Sequence, residues 1–140
     1  MLLKRKLWIT GLFLCVAVLA WTSVGCSRGP KLPPLVKLTG NVTLDGKPVT
    51  TGMVTLVPDI TKGTDGPMAI GAIDSNGHYT ARTVNTEGVI PGFYKVRVEN
   101  FLGQAWAVPA KYADTATSGL VVEVKANEEN KSDLKLTTKR

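Results

Sequence analysis

The chain has 140 residues and a formal net charge of +6, so there is room for one domain and its appendages. The excess positive charge lies outside the central region: between Lys37 and Thr138 there are ten Lys and Arg against eleven Asp and Glu. A nucleic-acid binder needs clustered basic residues on its folded surface, so that class is excluded, and two cysteines, Cys15 and Cys26, leave the later region without a disulfide or a thiolate metal site.

The chain opens with a short basic stretch holding Lys4, Arg5 and Lys6, and an apolar run from Leu7 to Trp21 follows. The small residues Ser23, Val24 and Gly25 then precede Cys26. Charge, apolar run and small residues in that order are the layout of a secretory signal. The run is shorter than the ~20 residues that a transmembrane helix needs, so residues 1–25 read as a removed signal and the protein as exported. Ser23-Val24-Gly25-Cys26 resembles the bacterial lipobox, although that pattern prefers Leu where Ser23 stands. The resemblance implies lipid attachment at Cys26 and anchoring to a bacterial membrane on the envelope side. The competing reading is an ordinary signal cut near Gly25 or Ala20. Residues 26–35 carry Pro30, Pro33 and Pro34 and read as an extended tether.

From Val36 onward the apolar period is two, the signature of strands. The expected strands run around Val42 and Leu44, over Met53–Val57, Ala69–Asp74, His78–Thr83, Phe93–Asn100 and Leu120–Val124, and around Leu134 and Leu136. Asp45-Gly46 and Asn76-Gly77 are hairpin signals, and Pro91-Gly92 suits a type II turn with positive φ at the glycine. The fold class is all-β: a seven-stranded Greek-key sandwich over residues 36–138.

The segments Gly40-x-Val42, Asp45-Gly46-Lys47-Pro48-Val49 and Gly52-x-Val54-x-Leu56-x-Pro58 carry a resemblance. Asp74-x-x-Gly77-x-Tyr79, Pro91-Gly92-x-Tyr94-x-Val96-x-Val98 and Pro109-x-Lys111-Tyr112 continue it. Together they resemble a carboxypeptidase regulatory-like domain, in the version found in small planctomycete-type lipoproteins. The resemblance implies a transthyretin-like (prealbumin-like) sandwich that is usually non-catalytic.

The residues offer little chemistry. His78 is the one histidine, and its place after a hairpin turn reads as an exposed strand start without partners for base catalysis. Asp74-Ser75-Asn76-Gly77 lacks the later ligands of a calcium loop, so Asp74 is expected to hold the turn backbone. No catalytic residue, metal ligand or cofactor is assigned. Two functions remain: an envelope module that contacts other proteins, or a glycan-binding module stacking sugars on Trp106 and Tyr112 of the long 101–118 loop. Against the second, the same rings are equally placed to cap the end of the core.

Overall fold

The computed structural model describes residues 32–101 and 108–139. These residues form eleven strand segments: β1 Leu38–Leu44, β2 Lys47–Pro48, β3 Met53–Pro58, β4 Ala69–Ala72, β5 His78–Thr80, β6 Arg82–Thr83, β7 Thr86–Glu87, β8 Gly92–Glu99, β9 Leu120–Val124, β10 Asn130–Lys131 and β11 Leu134–Leu136. Helical structure among them amounts to two 3-10 turns, Ile60–Lys62 and Ala110–Ala113. The fold is all-β, in two sheets.

The first sheet is built on β1. β5 and β2 pair with it antiparallel, while β10 and β11 pair with it parallel. The second sheet runs in the order β7-β6-β4-β3-β8-β9, every pair antiparallel. Alternation along each strand decides which face is covered. Tyr94, Val96 and Val98 of β8 are buried, while Lys95 between them is exposed. Leu38 and Val42 of β1, Val54 and Leu56 of β3, Val122 and Val124 of β9, and Leu134 and Leu136 of β11 join them in one core. Each such side chain removed from water contributes about 1.5–3 kcal/mol before entropy is counted.

Each of the seven expected strand regions contains a strand, but their number and continuity differ from the expectation. The 78–83 segment is two strands in two sheets. β5 pairs with β1, whereas β6 pairs with β4. Ala81 lies between them, fully buried, and its N–H donates to the Leu38 carbonyl at 2.9 Å. The chain passes from one sheet to the other at this residue. β2, β7 and β10 are two-residue segments, too short to leave a periodic trace in the sequence.

Three tyrosines tie strands to the backbone. Tyr79 lies across β1 at Gly40 and donates its hydroxyl to the Ser132 carbonyl at 2.9 Å. Tyr94 donates to the Ile90 carbonyl at 2.7 Å. Tyr112 reaches the backbone of Thr137. Burial raises the phenols of Tyr79 and Tyr94 to about 12 each.

The loop between β3 and β4 is fastened to the start of β8. The Asp59 N–H donates to the Phe93 carbonyl at 2.8 Å, and the Phe93 N–H donates to Thr64 Oγ1 at 2.7 Å. Gly92 has φ of 151°, positive as expected but more extended than a type II turn requires. The Thr64 side chain occupies the space a Cβ there would need.

Candidate functional site

Of the residues singled out for a site, Cys26 and Trp106 lie outside the described residues. Tyr112 is described and is 4% exposed. Its hydroxyl accepts from the Thr137 N–H at 2.9 Å, and Lys111 Nζ stands 4.9 Å from its ring centre. The ring is part of the core, which corrects its assignment as a platform for stacking sugars. The sequence could not separate the two roles, because an aromatic in a long loop serves either.

His78 is exposed at the start of β5, with Nδ1 4.0 Å from Asp74 Oδ2. Asp74 Oδ1 accepts from the N–H groups of His78 at 2.9 Å and Asn76 at 2.8 Å, the turn-holding role expected of it. The His78 amide, and then that of Asn76, holds the carboxyl below its ordinary range. Among the described residues no three His, Cys, Asp or Glu side chains converge as a metal site would require.

The feature that stands out lies on the outer face of the second sheet, assembled across strands distant in sequence. Register places Thr55 between Ile70 and Arg97, and Val57 beside Lys95, which faces Val121 in turn. Val57 and Arg97 join Met68, Ala113, Asp114 and Thr115 in lining an open groove of about 360 Å³. Thr55 is 1% exposed, and its hydroxyl has no hydrogen-bond partner among the described residues. The charges at the margin are paired: Lys95 Nζ lies 3.9 Å from Asp59 Oδ1, and Arg97 Nη1 lies 3.5 Å from Glu99 Oε1. The hydrogen bond from the Thr61 side chain, more than Lys95, holds the Asp59 carboxyl below its ordinary range.

One end of this face carries three exposed apolar side chains. Ile60 is 74% exposed, Val84 64% and Met68 53%. Ala69 pairs with both Leu56 and Thr83, so Met68 and Val84 follow at the same level of neighbouring strands, and Ile60 tips the adjoining loop. Val84 opens a two-residue turn between Thr83 and Thr86 and has φ of 57°. That conformation is an outlier for a β-branched residue. Sequence reading missed these three because Ile60 and Val84 are single apolar residues in polar loops and Met68 reads as the start of the strand that follows it. Their meeting depends on strand register alone.

Such a surface can make contact through exposed carbon bordered by paired ions. No family model matches the chain, and comparison with curated proteins and with solved structures finds nothing similar to it.

Proposed function

We propose that the chain is a lipid-anchored, non-catalytic protein of a bacterial cell envelope, whose β-domain is a module for contact with other envelope components. One observation carries the reading: a basic start, the apolar run Leu7–Trp21 and Ser23-Val24-Gly25-Cys26 stand directly ahead of a proline-rich tether. The structure of the following residues is compatible with that order. Val36, ten residues after Cys26 in sequence, pairs with Val89 through two hydrogen bonds of 2.9 Å.

The domain is proposed to be a transthyretin-like Greek-key sandwich of the carboxypeptidase regulatory-like kind. Strand order supports this. β3, β4 and β6 are successive antiparallel neighbours in the second sheet, and β8 returns to lie on the far side of β3. Fourth strand beside first is the Greek-key arrangement. The glycan-binding alternative is not favoured, since Tyr112 is buried and half of its aromatic pair is lost.

Replacement of Cys26 tests the function. Wild-type protein should incorporate labelled fatty acid and sediment with membranes, and Cys26→Ala should lose the label. Equal labelling of both proteins would refute attachment at this residue.

A further inference from the structure

We infer that Asn76 is a modification site, converting to aspartate and isoaspartate through a cyclic imide, and that the turn built on Asp74 keeps this conversion slow. The chain has six asparagines, and Asn76 alone precedes a glycine. The others precede Val42, Thr86, Phe101, Glu128 and Lys131. Each of those side chains crowds the backbone nitrogen that would attack, whereas glycine has no Cβ to do so. Asn76 is also exposed, and the turn uses its N–H, not its side-chain amide.

The reaction needs only the chain and water. The Gly77 backbone nitrogen gives up its proton to solvent and attacks Asn76 Cγ. A carbon–nitrogen bond forms there, and the bond from Cγ to the side-chain nitrogen breaks. That nitrogen takes a proton from solvent and leaves as ammonia. Water then opens the five-membered imide at either carbonyl. One opening gives aspartate, and the other gives isoaspartate, whose main chain runs through the side-chain methylene. Nucleophile and electrophile belong to adjacent residues, so the encounter is intramolecular and conformation sets its rate.

Conformation is what Asp74 controls. Its carbonyl accepts from the Gly77 N–H at 3.0 Å, so the attacking nitrogen is occupied while the turn is closed. Its carboxylate accepts from the N–H groups of Asn76 at 2.8 Å and His78 at 2.9 Å, which fixes the residues on both sides of Gly77. Gly77 is also held against β1. Its carbonyl accepts from the Val42 N–H at 2.7 Å, and a Cβ on Gly77 would lie 2.9 Å from the Val42 carbonyl oxygen. Attack therefore waits on local opening where β5 meets β1. Isoaspartate adds one carbon to the main chain between these fixed points, so the product gives up the fit of Gly77 against Val42.

Full-length protein purified in detergent is incubated in mildly alkaline buffer, folded and in urea. The peptide containing Asn76 is followed by mass spectrometry, with fragmentation that separates isoaspartate from aspartate, and circular dichroism is recorded on the same samples. Isoaspartate marks the cyclic route, since direct hydrolysis of the side-chain amide gives aspartate alone. The unfolded chain should form isoaspartate, and the folded protein should convert at least about tenfold more slowly. Asp74→Ala should convert about tenfold faster than folded wild type, the scale expected when two hydrogen bonds to a charged acceptor are lost. Asp74→Asn keeps an acceptor oxygen and should restore most of the protection. Ser118→Ala is the control and should stay near the wild-type rate, because it removes the 2.6 Å hydrogen bond to the Val96 carbonyl and leaves the turn intact. Unfolded protein that forms no isoaspartate would overturn the site. Equal rates in folded and unfolded protein, or Asp74→Ala at the wild-type rate, would overturn the protection. Equal acceleration by Asp74→Ala and Ser118→Ala would assign protection to global stability and overturn the part given to Asp74.

Discussion

Gly40→Ala probes the packing that joins β5 to β10 and β11 across β1. A methyl group at this position would overlap the Ser132 carbonyl oxygen and lie 2.9 Å from the Tyr79 ring. The Gly40 backbone lies outside the positive-φ region, so the obstacle is space and not conformation. Relief requires moving either the β1 backbone, which is paired on both edges, or the Ser132 backbone together with the Tyr79 ring, which is 1% exposed. Overpacking of this kind costs about 1–3 kcal/mol. Displacing the ring also breaks the Tyr79–Ser132 hydrogen bond, worth about 1 kcal/mol. A total of about 2–4 kcal/mol lowers Tm by on the order of 10–25 °C in a domain near 100 residues. Thermal and urea unfolding followed by circular dichroism measures it. Tyr79→Phe added to Gly40→Ala should cost less than about 0.5 kcal/mol further, because neighbours that share one contact do not add. Gly40→Ala within about 0.5 kcal/mol of wild type would refute the reasoning.

Two further outcomes follow from local geometry and charge. Val84→Asn places a residue that tolerates positive φ where valine is strained, and should stabilise the domain by about 1 kcal/mol; a lower urea midpoint would contradict the strain. Asp45, Asp59, Asp74 and Asp133 are all held below the ordinary value of 3.8. The leading causes are hydrogen bonds from Thr138, Thr61, the His78 amide and the Asn41 side chain in turn. Their stabilisation is therefore present above the unfolded value and is lost as pH falls through the lower folded values. Tyr79 and Tyr94 act at the other limit: raised from 10.0 to about 12, they stabilise below pH 10, and that contribution is lost as pH rises through about 12. Urea midpoints against pH should fall on both flanks, and Asp133→Asn should flatten the acid flank. Stability that rises below pH 3.8 would contradict the assignment.

Strands with a covered face were legible in the sequence. Tyr94, Val96 and Val98 alternate with charged residues, and the structure buries the first three. Turn chemistry was legible for the same local reason, as Asp74 and its two amide donors illustrate. Non-local geometry was not. The passage from β5 to β6 at Ala81 leaves the alternation unbroken, so a change of sheet looks like one long strand. Tyr79 over Gly40 joins residues far apart in the chain, and neither one alone announces the other. The candidate surface was hidden most thoroughly, since Met68 and Val84 are far apart in sequence and are brought to one level only by the pairing of Ala69 with Thr83. The long loop was half legible: it suggested an aromatic cluster, and the structure places Tyr112 in the core instead of on the surface.

The central claim is that Cys26 anchors the mature chain, and intact-mass spectrometry of protein extracted from membranes tests it most directly. The account predicts a chain beginning at Cys26, with mass added in multiples that correspond to acyl groups. An unmodified N-terminus at any other residue, or an intact Met1 with both cysteines free, would contradict it.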